Sequence, residues 1–93
     1  MNINLYGDNI LVSELTDDLF INGLLVMYDK DNPYMFCKVE ALSYEADKTI
    51  SKNDILVIKR YAKEEYLPGY YFVSLKDVRG SITSSEYNKL LNN

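Results

Sequence analysis

The sequence predicts a single all-β domain over residues 1–93. Residues 35–42 alternate between two sets of side chains with a period of two, which is typical of a strand. Residues 55–58 form a continuous apolar run between polar neighbours, as in a strand that is buried on both faces. Pro68-Gly69 and the stretch Ser51–Asp54 are turn signals between such runs. Short strands separated in this way favour a small barrel or sandwich.

The elements follow in order along the chain. Ile10–Leu15 is predicted as a short strand, followed by strands at Met35–Leu42, Ile55–Ile58 and Tyr70–Leu75. Only residues 83–93 look helical, because Thr83 and Glu86 have the spacing of a capping box. A helix this short is marginal unless it packs on something, so a helical or a frayed C-terminal extension is expected.

The long polar connection of about residues 16–33 carries an apolar triplet, Leu24, Leu25 and Val26, directly after Gly23. Long loops in small domains are usually functional or disordered, so this segment is predicted to be mobile and to become ordered on a partner. The alternative is a short core strand between two ordinary turns. Pattern alone leaves both interpretations open.

Composition narrows the possible functions. Hydrophobic residues make up 47% of the chain, which argues against wholesale disorder, and the net charge of -4 argues against nucleic-acid binding. No apolar run is long enough to span a bilayer, and the N-terminus lacks the build of a signal peptide. With Cys37 as the single cysteine, no internal disulfide is possible and a cytoplasmic location is expected.

Catalytic and metal-site motifs are missing from the sequence. The chain has no histidine and one cysteine, which excludes the usual zinc sites and the Ser-His-Asp and Cys-His pairings. Asp29, Asp31 and Asn32 lack the glycine and closing glutamate of a calcium loop, and the dispersed glycines form no phosphate loop. We therefore expect no enzyme activity, metal or cofactor. Cys37 is expected in the core, and most of the nine tyrosines in an aromatic core and its rim.

The order of these features resembles the GroES-type co-chaperonins (the chaperonin-10 family), particularly their divergent bacteriophage relatives, over roughly residues 1–82. Asp8–Val12 resembles the family's opening strand, and Gly23–Val26 is similar to its Gly-Ile-Val-Leu mobile-loop tooth. Lys38–Ala41 and Asn53–Val57 resemble two middle strands, and Tyr71–Val78 the closing strand with its Asp-Ile ending. No single motif is specific, and the resemblance depends on their order and spacing taken together.

The resemblance implies a small GroES-like β-barrel with a long mobile loop, assembled as a homo-oligomeric ring that is expected to be a heptamer. It implies a lid that binds an ATP-loaded group I (GroEL-like) chaperonin and caps its folding chamber, with ATP held by the partner and not by this chain. The partner-binding residues would be Gly23, Leu24, Leu25 and Val26. The subunit interface would pair an N-terminal strand with the last strand of the next subunit, using Asn2, Ile3, Asn4, Leu5, Val78, Arg79, Gly80, Ser81 and Ile82.

The chain also departs from the family pattern. Asn9 stands where the family has arginine, Cys37 where it has glycine, and residues 43–54 are too few for the family's roof hairpin. An open or wide-mouthed ring is therefore expected. Two other functions remain open: a small acidic inhibitor or DNA mimic, and a viral structural or adaptor barrel.

Overall fold

One antiparallel six-stranded sheet forms the body of the molecule in the computed structural model, which describes residues 3–21 and 24–91. The spatial order of its strands is β6-β7-β1-β4-β5-β8. A separate two-stranded ribbon is formed by β2 and β3. The strands are β1 (Asn9–Glu14), β2 (Leu19–Ile21), β3 (Leu24–Val26), β4 (Tyr34–Leu42), β5 (Ile55–Lys59), β6 (Glu64–Leu67), β7 (Tyr70–Ser74) and β8 (Val78–Ile82), followed by the helix α1 (Ser84–Leu91).

The four predicted strands are confirmed, and no strand end differs from its predicted position by more than one residue. In β4, Met35, Cys37 and Val39 are buried while the residues between them are half-buried. The period of two in the sequence therefore marks the side chains that face the core. In β5, Leu56 and Ile58 join the main core while Ile55 is buried in a second cluster with Tyr87. The strand is therefore covered on both faces at that point, as its continuous apolar run predicted.

The main core is aliphatic, and the expectation of an aromatic core is wrong. Its buried members are Ile10, Val12, Met35, Cys37, Val39, Ala46, Ile50, Leu56, Ile58 and Val73. Tyr87 is the single buried tyrosine in the described part of the chain, and it lies outside this cluster. The other tyrosines are exposed or half-buried, so they belong to the surface.

Backbone conformations with positive φ occur at three described turn residues, Gly7, Asn53 and Gly69. Asn53 has φ 73° between Lys52 and Asp54, and the turn is closed by the Ser51 amide, which donates to Asp54 Oδ2 at 3.0 Å. Gly69 has φ 83° in the turn between β6 and β7, a conformation that glycine adopts without steric cost. Residues 43–54 contain a short 3-10 helix at Ala46–Lys48 and no strand.

Cys37 lies fully buried on β4 and its thiol contacts the carbonyl oxygen of Leu56 at 3.8 Å. Burial, and secondarily the carboxylate of Glu14, raises the pKa of this thiol from 9.0 to about 12.

We expect the native protein to resist iodoacetamide at pH 8 and to be alkylated only after denaturation, because the thiolate is the reactive form. Labelling followed by intact mass measurement tests this, and rapid labelling without loss of fold would contradict the buried position.

The same shift makes stability depend on pH. Because the folded state raises the pKa of Cys37 above its ordinary value of 9.0, the folded state favours the protonated thiol. This contribution is fully present below pH 9 and is lost as the pH rises toward the folded value.

Candidate functional site

The ribbon of β2 and β3 displays apolar side chains to solvent. Its register pairs Leu19 with Val26, Phe20 with Leu25 and Ile21 with Leu24. Leu24 is 71% exposed and Leu25 51% exposed, although they point to opposite faces of the ribbon. Neither face of β3 is therefore covered by the sheet.

This arrangement corrects one expectation and part of another. The connection of residues 16–33 is not without structure, because it contains a hairpin of two paired strands. The core-strand alternative is half right, since Leu24–Val26 is a strand, but its two leucines are not core residues. Gly23 lies outside the described residues.

The exposed apolar surface continues past the end of β3. Met27 is 64% exposed and Tyr28 40% exposed, so four of the five residues from Leu24 to Tyr28 present large apolar groups to solvent. Val26 is half-buried at the foot of the ribbon, which is the end where β3 leads back toward the sheet. Exposed apolar surface of this kind, gathered in one place, marks an interaction site more often than scattered single residues do.

Arg60 holds the segment that leads from the ribbon back into the sheet. Its guanidinium donates to the carbonyl oxygens of Asn32 at 2.8 Å and Asp29 at 3.1 Å. Its backbone amide donates to the carbonyl oxygen of Pro33 at 2.8 Å. The same guanidinium forms an ion pair with Glu14 on β1 at 2.7 Å. The descending foot of the ribbon, the segment between β3 and β4, is therefore fixed to β1 and to the end of β5.

Tyr28 adds a second connection at this foot. Its amide donates to Asp18 Oδ1 at 2.9 Å, which ties the two arms of the connection together, and its hydroxyl donates to Glu14 at 3.3 Å. Nothing in the sequence pattern predicted Arg60, Glu14 or Tyr28 as site residues. Their contacts join positions far apart in the chain and use backbone carbonyl groups, which leave no trace in side-chain periodicity.

A cleft of about 330 Å³ lies between the foot of the ribbon and strands β4 and β5. Apolar side chains make up most of its wall. Its lining residues are Leu15, Asp17, Val26, Met27, Tyr28, Asp29, Asn32, Tyr34, Met35, Phe36, Val57 and Arg60.

The two halves of the predicted subunit interface lie at different edges of the sheet. The stretch Val78–Ile82 forms β8, which pairs with β5 and is one edge of the sheet in its described part. Val78, Gly80 and Ile82 are half-buried, while Arg79 and Ser81 are exposed.

The N-terminal half is not a strand in the described chain. Residues 3–6 are irregular in the single chain, where the proposed partner strand of a neighbouring subunit is not present, and Asn2 lies outside the described residues. Ile3 and Leu5 are half-buried while Asn4 and Tyr6 are exposed, an alternation typical of extended backbone. These residues share a shallow depression with Glu64 of β6 and Phe72 of β7, at the sheet edge opposite β8.

Two further findings concern chemistry and membranes. Among residues 3–21 and 24–91, no group of three or more His, Cys, Asp or Glu side chains is placed to hold a metal ion. Over the same ranges, no helix combines the length and hydropathy needed to cross a bilayer.

Comparison with models of known protein families finds no match to this chain, and no curated protein sequence matches it. Function is therefore inferred from the chain's own residues.

Proposed function

We propose that this chain is the subunit of a co-chaperonin-like ring that caps an ATP-loaded group I chaperonin. The observation that carries the proposal is the exposure of Leu24 and Leu25 on a ribbon that stands apart from the sheet. In this proposal the sheet is the wall of a GroES-like barrel, and Gly23–Val26 is the tooth that enters an apolar groove of the chaperonin. The chain works in the cytoplasm, holds no nucleotide and carries out no reaction itself.

The energetics of one tooth favour reversible capping. Full burial of a leucine or valine side chain stabilises a complex by about 1.5–3 kcal/mol, so one ribbon gains only a few kcal/mol on docking. Ordering a fully flexible segment costs about 2–5 kcal/mol, and a ribbon whose strands are already paired loses less. A single tooth therefore binds weakly and is released readily, while several teeth on one ring bind together through their effective concentration.

The positions of the two interface segments support a ring. β8 is one edge of the described sheet, and residues 3–6 lie beside the other edge. A segment at one edge that pairs with the opposite edge of a neighbour makes a head-to-tail contact, and such contacts close into a ring when the rotation allows. Pairing of this kind also covers the hydrogen-bonding groups of an edge strand.

Capture by a chaperonin is the direct test. The purified chain should co-migrate with a group I chaperonin in size-exclusion chromatography when ATP is present and should separate from it without nucleotide. Native mass spectrometry of the free chain should show a closed oligomer, which we expect to be a heptamer.

The outcomes separate this proposal from the other two functions. A monomer or dimer that ignores the chaperonin would favour the acidic inhibitor. A large oligomer that ignores both chaperonin and ATP would favour the structural or adaptor barrel.

A further inference from the structure

The C-terminal helix α1 depends on tertiary packing for its order. Its eight residues begin after Thr83, whose hydroxyl accepts a hydrogen bond from the Glu86 amide at 3.3 Å, and the Tyr87 amide donates to the Thr83 carbonyl at 2.9 Å. Helices of this length are marginal in water when isolated. What α1 packs against therefore decides whether it forms.

α1 covers the face of the sheet from which the ribbon departs. Tyr87 is 9% exposed and packs with Ile55 in a cluster that also includes Leu15, Phe36 and Ile82. Leu15 is the first residue after β1. It begins the ascending arm, the segment of residues 15–18 that leads from β1 to β2 of the ribbon. The helix thus contacts both the outer face of the sheet and the start of that arm.

Two contacts join α1 to the ascending arm beyond Leu15. The Tyr87 hydroxyl donates to Asp17 Oδ2 at 3.1 Å, and the helix lies directly against β2. Burial, and then the hydrogen bond to Asp17, raises the pKa of Tyr87 above its ordinary value, as expected for a phenol that donates to a carboxylate.

We propose that α1 holds the ribbon in position, with Tyr87 as the positioning residue through its hydrogen bond to Asp17. A two-stranded hairpin is at best marginally stable on its own in water, so its orientation depends on its two feet. Arg60 fixes the descending foot, and Tyr87 fixes the ascending foot. This role concerns the free chain and holds whatever the ribbon binds.

A purely structural role for α1 makes a different forecast. In that case Tyr87 would only cover Ile55 and its neighbours, and its hydroxyl would have no effect on the ribbon. Tyr87→Phe separates the two roles, because it keeps the packed ring and removes only the donor to Asp17.

The experiment measures amide exchange with water by NMR in the free chain. In Tyr87→Phe, the amides of residues 24–28 should exchange roughly two- to tenfold faster, the factor that corresponds to the loss of one hydrogen bond. The amides of residues 55–58 in β5 should keep their parent rates. Tyr44→Phe is the matched control, because Tyr44 is 83% exposed and far along the chain from both feet of the ribbon.

Variants of the acceptor complete the design. Asp17→Ala should reproduce the effect of Tyr87→Phe, and the double variant should exchange no faster than either single variant. Asp17→Asn keeps an acceptor oxygen and should restore most of the protection. Unchanged exchange at residues 24–28 in both single variants would overturn the proposal, and so would an equal acceleration of the ribbon and of β5.

Discussion

Leu25→Asp should abolish capture of the ATP-loaded chaperonin and leave the fold and the ring intact. Leu25 lies in the middle of β3 (Leu24–Val26) and is 51% exposed in the free chain. A carboxylate at this position would enter an apolar groove without a partner, which costs more than one ribbon gains on docking. In the proposed ring every subunit carries the change, so the loss is repeated at each tooth.

The fold should tolerate this substitution because the side chain is not part of either buried cluster. Surface substitutions usually change the free energy of unfolding by no more than about 0.5 kcal/mol, whereas a charge placed in a core unfolds many domains. Circular dichroism, thermal melting and chaperonin capture should be measured on one sample. Tyr44→Asp is the matched control, because it adds the same charge at an exposed aromatic residue outside the ribbon.

Each contrary result points to a different error. A Leu25→Asp chain that still binds as the parent does would contradict the tooth mechanism. A chain that loses its fold would contradict the exposed position of Leu25, and failure of Tyr44→Asp to bind would show that added charge alone prevents capture.

The strands that sequence predicted well are those with one face in the core. The alternation of β4 and the apolar run of β5 reflect burial directly, because the period of two follows from the pleat. The turn at Ser51–Asp54 and the start of α1 were also predictable, since side chains close in sequence make their hydrogen bonds.

The sequence missed two strands, β2 and β6, for different reasons. All four residues of β6 (Glu64–Leu67) are exposed, so no hydrophobic period marks that strand. For the ribbon a different signal was present, because Asn22-Gly23 separates two apolar triplets and Asn-Gly is a preferred two-residue hairpin connection. The missing strand in the predicted loop could have been found from that pair.

The candidate site was predictable only in part. Leu24 and Leu25 could be chosen from their apolar character within a polar stretch, but the contacts that hold the ribbon could not. Arg60 bonds to backbone carbonyls 28 and 31 residues away, and Tyr87 reaches Asp17 across 70 residues. Such contacts depend on how the sheet brings distant segments together, which local patterning does not record.

Removal of residues 1–6 should convert the ring into monomers while the six-stranded sheet persists. These residues contribute no strand to the sheet in the described chain, and the truncated chain would begin at the turn of Gly7. Without them, the edge of β8 has no strand from the neighbour to pair with. Sedimentation equilibrium should give the monomer mass at micromolar concentration, and far-UV circular dichroism should retain the β signal.

Asn4→Ala is the control for this truncation. The Asn4 side chain is exposed, and the proposed pairing uses backbone groups that alanine keeps, so the ring should survive. A truncated chain that still sediments as the parent oligomer would contradict the assigned interface. A modest fall in melting temperature is expected, because subunit association stabilises the folded state by mass action.

The truncated chain and Leu25→Asp should lose capture for opposite reasons. The truncated monomer keeps Leu24 and Leu25 on its ribbon but has one tooth, so its affinity for the chaperonin should fall to that of a single weak contact. Leu25→Asp keeps the ring and loses every tooth.

Mixing Leu25→Asp subunits with parent subunits should therefore reduce capture in steps as the number of intact teeth in a ring falls. Excess truncated chain should compete only at high concentration. Equal competition by truncated and parent chains would show that binding does not depend on several teeth acting together.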